Sequence, residues 1–183
     1  MTKRTSVLER FLVRDERGIA AVEFALIFPV MVILLLGSVE TSNILEAKRK
    51  ETAVASTVAD LVGQEKSIDN SDMTNIFTGA SMILAPFASA NLEIVVTSVI
   101  NDAGGNPVVD WSDGYNATAR TAGASLPAEF PDELVVSGSS VIMAEVTYTY
   151  TSPYGWNITG PVSLHDVYYS RPRRSNTVVR NYF

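Results

Sequence analysis

Residues 17–40 read RGIAAVEFALIFPVMVILLLGSVE, and residues 41–64 continue TSNILEAKRKETAVASTVADLVGQ. From Ile19 to Val39 there are 21 residues, and Glu23 is the only charged one. About 20 apolar residues cross a bilayer as a helix. Pro29 lies inside the run, where a membrane helix tolerates it and can kink. Beyond Glu40 the composition turns polar without a helix breaker, since residues 41–64 contain no proline and no glycine before Gly63. Val54, Val58, Leu61 and Val62 recur at i, i+4, i+7 and i+8, one face of a helix. Glu46 and Lys50 form an i,i+4 pair on its outside. The two stretches predict one helix from Ile19 to about Leu61, roughly 65 Å long at 1.5 Å per residue. Its first half belongs in lipid, and its second half carries an apolar stripe.

Flanking charge sets the expected topology. Lys3, Arg4, Arg10, Arg14 and Arg17 precede the run, and Lys48, Arg49 and Lys50 follow it. The more basic N-terminal flank is expected in the cytoplasm, which puts the rest outside. An ordinary cleaved secretory signal is the competing reading. Its apolar region spans roughly 7–15 residues and ends in an A-x-A-like site. This run is longer, and GSVETSN offers no clear site of that kind.

Composition removes several function classes. The formal net charge is −6, and between Glu51 and Ser170 only Lys66 and Arg120 oppose fourteen acidic residues. A body so acidic has no face to neutralise phosphates, so nucleic acid is not an expected partner. Without cysteine there is no disulfide, thiol chemistry or cysteine-based metal site. His165 is the only histidine, which excludes a histidine-based metal cluster. No G-x-S-x-G elbow accompanies His165, so a hydrolytic triad has no support. No catalytic residue, cofactor or small-molecule substrate is expected.

The remainder reads as a small α+β domain. Asn70 or Ser71 can cap a helix bearing Met73, Ile76, Phe77, Ala80, Ile83 and Leu84, and Pro86 ends it. Leu92 to Ile100 is rich in β-branched residues and reads as a strand. The turn NDAGGNP leads to a short strand around Val108 to Trp111, and residues 112–133 read as a surface excursion. In the stretch Val141 to Thr151, Ile142, Ala144, Val146, Tyr148 and Tyr150 share one face, and Glu145, Thr147 and Thr149 the other. A last strand covers Val162 to Ser170. About four strands joined by turns predict an antiparallel sheet, covered by the striped half of the long helix.

Gly18-Ile19-Ala20-Ala21-Val22-Glu23-Phe24 resembles the processing site of type IV pilin-like proteins. In tight adherence (Tad, or Flp) pilus systems the pattern is glycine, four residues, glutamate and tyrosine. This chain matches the glycine and glutamate and has Phe24 where tyrosine is usual. The whole run resembles the N-terminus of TadE-like minor pseudopilins. VVDWSDGY, MAEVTYTYTSPYG and YYSRPRRSNTV resemble later parts of that family. The resemblance implies a leader (1–18), a transmembrane helix (19–39), its periplasmic continuation (40–63) and a periplasmic domain (64–183). It implies cleavage after Gly18 by a prepilin peptidase, residence in the bacterial inner membrane, and packing with other Tad pilins and pseudopilins in a non-enzymatic role.

The resemblance gives Glu23 a physical role. Cleavage would create an α-amine at Ile19, positively charged near neutral pH. Ile19 and Glu23 are i,i+4 neighbours, so the carboxylate can pair with its own amine or a neighbour's. The competing reading is a glutamate that snorkels to the interface, about 6 Å from the new terminus; ionisable groups inside membranes default to function. Asp102, Asp110 and Asp113 flank turns and are read as turn chemistry, with Ca²⁺ binding unsupported by EF-hand spacing. Tyr148, Tyr150, Trp156, Tyr168 and Tyr169 read as sheet and core residues, with a partner surface as the alternative. Asn116-Ala-Thr and Asn157-Ile-Thr match glycosylation sequons and are read as chance. Arg171, Arg173 and Arg174 either dock an acidic neighbour or form a solvated tail.

Three other function classes stay open at this point. A general secretion pseudopilin shares the motif. A membrane-anchored periplasmic binding or sensory domain needs neither Gly18 nor Glu23. An anchored enzyme needs a catalytic cluster. TadG-like proteins share this kind of N-terminus, but their metal motif requires Asp-x-Ser-x-Ser, and Asp110-Trp-Ser112-Asp-Gly lacks the last serine.

Overall fold

A computed structural model describes residues 16–152 and 160–183. The leader charges Lys3 to Arg14, Trp156 and the sequon at Asn157 lie outside the described residues. The chain divides into two compact units, Met1–Asn43 and Ile44–Phe183.

Helix α1 covers Glu16–Gln64 without interruption, with Pro29 inside it. Within the first unit its large apolar side chains are exposed all round, among them Ile19, Val22, Leu26, Ile33 and Leu34. This helix is long and apolar enough to cross a membrane. Ser38, Thr41 and Ser42 return their hydroxyls to the carbonyls of Leu35, Gly37 and Ser38. Such back-bonding leaves no hydroxyl donor unsatisfied next to the apolar run.

In the second unit α1 becomes striped. Ala47, Glu51, Val54, Ala55, Val58, Ala59 and Val62 are fully buried. Leu61, expected on this face, is instead 38 % exposed. The stripe follows the smaller residues at i+3 and i+4, which let the backbone approach the sheet closely. At the helix end a Cβ on Gly63 would lie 3.1 Å from Ser170 Oγ and 3.3 Å from the Arg171 carbonyl, so glycine permits that approach.

The sheet holds β2 (Leu92–Asn101), β3 (Pro107–Tyr115), β4 (Val141–Tyr150) and β5 (Val162–Ser170). Its order is β3-β2-β4-β5 and all pairings are antiparallel, as expected. One face packs Leu92, Ile94, Val96, Ile142, Ala144, Val146, Tyr148 and Tyr150 against the α1 stripe and α2 (Asn70–Ile83). Helix α2 is capped by Asp69, not by Asn70 or Ser71: its carboxylate accepts from the Ser71 and Asp72 amides, and Asp72 answers the Asp69 amide. A carboxylate one residue earlier closes this reciprocal capping box. Lys50 does not serve Glu46; its ammonium lies 3.5 Å from the Ile83 carbonyl and supplies a cation to an α2 C-terminus whose own last turn has none.

Two strand expectations are corrected. Strand β3 runs to Tyr115, so residues 112–115 belong to the sheet. The segment that follows is not wholly a surface excursion. Phe130 and Val135 are buried over Val99, Val141 and Met143, forming a second small core on the opposite sheet face. Met143 is therefore buried although it faces away from the helices. A further pairing joins β1 (Ser67–Ile68) in parallel to β6 (Val179–Arg180), which ties the C-terminal segment beside the end of α1.

Candidate functional site

The motif residues sit at the start of α1. Gly18 is helical, and a Cβ there would meet nothing within 4 Å. Ile19, Glu23 and Phe24 are exposed, and Phe24 packs on Phe28 with ring centroids 5.4 Å apart. The helix thus presents Ile19 and Glu23 one turn apart on an apolar surface with no protein cover.

The second unit carries a carboxylate that the sequence reading overlooked. Glu51 is 0 % exposed and lies in the register of the buried stripe. Lys48 donates to its Oε2 at 2.8 Å, and Oε1 has no hydrogen-bond partner among the described residues. Burial pushes the Glu51 carboxyl up, and the bond from Lys48 opposes that rise. Lys48 also donates to the His165 carbonyl at 2.7 Å and lies 3.5 Å from Asp166 Oδ2. Asp166 accepts from the Thr52 hydroxyl and from the Val167 amide. Burial raises the Asp166 carboxyl, but Thr52 and Lys48 outweigh it and leave the group below its usual range.

This cluster also guards a sheet edge. Strand β5 is terminal in the sheet, and an unpaired edge invites strand addition. Lys48 takes the outward carbonyl of His165, and Asp166 takes the amide of Val167. The helix therefore covers the sheet face and also reaches the β5 backbone through Lys48. The spacing Ala47, Glu51, Val54, Val58 was the available signal, a glutamate at an apolar position of a helical stripe.

The basic C-terminal segment is partly engaged within the domain. Arg171 donates to the Leu134 carbonyl at 3.2 Å. Arg173 pairs with Asp60 at 2.5 Å, and its amide donates to the Gly63 carbonyl. Arg174 is exposed. Arg180 makes the strongest contact: its side chain is 4 % exposed and bonds Asp113 from Nε at 2.6 Å and Nη2 at 3.2 Å. It also donates to Asn70 Oδ1 and to the Asn181 carbonyl. Trp111 donates its indole N–H to the Val178 carbonyl at 2.8 Å, so β3 holds the same segment at two points.

The remaining candidates resolve individually. Asp102 accepts from the Gly104 and Asn106 amides, which is turn chemistry, and those bonds hold its carboxyl below the usual range. Asp113 belongs to the Arg180 clasp. His165 Nδ1 lies 3.1 Å from the Thr147 hydroxyl. On the open sheet face Arg120 grips both carboxylate oxygens of Glu145. Among the described residues no group of His, Asp and Glu has metal-ligand geometry.

Residues 18–60 match the family model described as TadE-like protein. The matched segment begins at the glycine of the spaced motif and follows α1 almost to its end, so the TadE-like resemblance stands on this helix. It points to a Tad pilus-associated function. No curated protein and no solved structure matches the chain. With one N-terminal apolar helix, the match suggests a membrane-anchored protein with pilin-like partners.

Proposed function

We propose that this protein is a non-enzymatic minor pseudopilin of Tad pilus biogenesis, stored in the inner membrane with its N-terminus cytoplasmic and residues 40–183 periplasmic. A prepilin peptidase cuts after Gly18. The freed Ile19 amine then pairs with Glu23, in the same chain or a neighbour, as α1 packs against other pilin-like helices. The TadE-like match over residues 18–60 carries this reading, because it spans both the Gly18/Glu23 spacing and the uncovered apolar helix. An apolar surface that no protein covers is stable in lipid or against like helices, and one helix serves both states. Arg174 and its neighbours are the proposed contact to an acidic partner surface.

The test is the mature N-terminus, read by mass spectrometry on protein from membranes. It is expected at Ile19, and Gly18→Val is expected to abolish the cut. The variant is informative because a Cβ at Gly18 meets nothing within 4 Å. A helix also accepts valine at least as well as glycine. A block would therefore arise in the peptidase cleft and not in a misfolded substrate. A mature start beyond Val39 would identify a secretory signal and overturn the assignment.

A further inference from the structure

Met73 to Leu92 is a run of 20 residues without a charged side chain. Its second half leaves α2 and reaches β2 through a short 3₁₀ turn, Ser89–Asn91. Phe87 fastens this connection to the core, with its ring centroid 6.4 Å from that of Tyr148 and 5.9 Å from that of Tyr150. The side chains around it face outward. Met82 is 70 % exposed, and Ala85, Pro86, Ala88 and Ala90 are exposed as well. Glu93, the first charge that follows, belongs to the other sheet face, since Leu92 and Ile94 enter the helix-side core. The connection is therefore an uncharged, apolar rim that nothing among the described residues covers.

The chain enters the second unit at this same end. Helix α2 starts beside the end of α1 and runs back along it, so that the Ile83 carbonyl meets the Lys50 ammonium. The His165 carbonyl meets Lys48, and Val162, three residues earlier in β5, pairs with Tyr150. Three strand residues span about 10 Å, which carries this end of the sheet to the level of Ile44. Ile44 itself packs against the same core as Phe87. It follows Val39, the last residue of the apolar run, by five residues, roughly 8 Å along a helix. The headgroup layer on one side of a bilayer is about 5–7 Å deep. Connectivity therefore brings the rim to the height of the lipid headgroups. An uncovered apolar patch marks an interaction site, and the surface within its reach is the bilayer.

We propose that the rim at residues 82–91 is a membrane-contact surface, which rests on the headgroup layer of the bilayer that α1 crosses and fixes the orientation of the second unit against it. Its apolar side chains gain from shallow insertion at the headgroup–acyl boundary. Its lack of charge means that no ion is desolvated on contact, and that an acidic domain meets anionic lipid without a carboxylate at the point of closest approach. The Phe87 anchor holds the rim in place beforehand, so contact costs little ordering. The proposal rests on the reading of α1 as a membrane anchor and not on cleavage after Gly18.

The experiment reconstitutes the full-length chain in vesicles of phosphatidylethanolamine and phosphatidylglycerol and reads the depth of a fluorescent label. The protein has no cysteine, so each introduced one is unique. Ala88→Cys places the label on the rim, Leu34→Cys places it in the span, and Ser137→Cys places it on an exposed residue at the other end of β4, roughly 30 Å away. Lipids carrying a nitroxide at the headgroup or on the acyl chain are the quenchers. Headgroup nitroxide should quench the Ala88 label severalfold more than the Ser137 label, and acyl nitroxide should quench the Leu34 label. Ala90→Glu, an exposed change that leaves the core intact, should remove most of the quenching at Ala88 while the unit's thermal transition stays in place. Equal quenching at Ala88 and Ser137, or quenching at Ala88 that Ala90→Glu does not reduce, overturns the contact. An Ala88 label shielded from nitroxide lipid but self-quenched in proportion to chain density assigns the rim to a contact between copies and overturns the lipid occupant. An unquenched Leu34 label overturns the membrane anchor and this proposal with it, whereas a quenched Leu34 label beside an unquenched Ala88 label overturns this proposal alone.

Discussion

Helix α1 is one continuous element that meets two different surroundings. From Ile19 to Leu35 every side chain but Glu23 is apolar and none is buried. From Ala47 to Val62 its buried positions form one stripe of alanine, valine and a single glutamate, and its other faces are polar. Backbone conformation is the same in both stretches. What differs is the solvent each demands, because an all-round apolar surface requires an apolar medium, while a stripe requires one packed neighbour. The two stretches also treat a lone carboxylate differently: Glu23 is exposed on the uncovered surface, and Glu51 is sealed under the sheet.

The largest expected effect comes from placing the same charge in each stretch. Val58→Asp buries an unpaired carboxylate against the sheet, beyond the 4–5 kcal/mol that already counts as exceptional for one substitution. The second unit should show no cooperative thermal transition by circular dichroism. Leu34→Asp should leave that transition within about 1 °C and instead reduce membrane insertion, by about 2.5–3.5 kcal/mol at mid-span. Equal losses of the thermal transition from both variants would break the comparison.

Next is the clasp that closes the second unit. Arg180→Ala strands Asp113 and frees the strand that pairs with β1. Losing one partner of a buried pair costs about 3–5 kcal/mol. Urea unfolding should move to a lower midpoint with an unchanged slope. Arg174→Ala, at an exposed arginine of the same segment, should leave the midpoint within error. A similar midpoint shift in both would mean that the segment acts by net charge alone.

Much of this architecture was legible in the sequence, for reasons that differ by element. The long helix was readable because 21 apolar residues and the following stripe each have one physical solution. The four strands were readable from β-branched runs and turns. Leu61 was misplaced because hydrophobicity was weighed above the closer approach that Ala47, Ala55 and Ala59 allow. The second core was hidden because Phe130 and Val135 lie in a segment without periodicity, and only tertiary contact buries them. Arg180 carried no signal of its own in the sequence, since its partner Asp113 is 67 positions away. In the candidate site, spacing singled out Gly18 and Glu23, whose processing role is the proposal made above. Glu51 was missed because one glutamate among alanines looks like an ordinary exposed helix residue.

A volume change sharpens the contrast at intermediate size. Ala59→Leu forces three extra carbons into a fully buried position of the stripe, and overpacking typically costs about 1–3 kcal/mol. Ala25→Leu makes the same change on the exposed apolar stretch and should leave the unit's thermal midpoint unchanged. Thermal melts of the two variants provide the measurement. A cost at Ala25 equal to that at Ala59 would show that the first stretch is packed against protein in the isolated chain.

The smallest effect tests the two carboxylates against each other. Burial raises the folded-state carboxyl of Glu51, so its charged form is less favourable in the fold than in the unfolded chain. That penalty is absent below the ordinary glutamate range, grows as pH rises through the raised folded value, and is fully present above it. Asp166 has the opposite sign, since its lowered carboxyl contributes stability that is lost as pH falls through its folded value. Glu51→Gln should therefore stabilise the second unit at pH 8, by about 1 kcal/mol, the scale of one hydrogen-bond exchange. Lys48 is not stranded by the change, because the His165 carbonyl and Asp166 remain its partners. The gain should shrink as pH falls and vanish below the usual glutamate range, where the wild-type carboxyl is protonated in both states. Glu23→Gln, on the uncovered stretch, should leave the same stability curve unmoved at every pH. Denaturant midpoints from pH 4 to 8 for both variants decide the matter. A Glu51→Gln variant less stable than wild type at pH 8 would mean that the Lys48 contact outweighs the burial of the charge, and the contrast between the two glutamates would then lie in their partners rather than in their solvent.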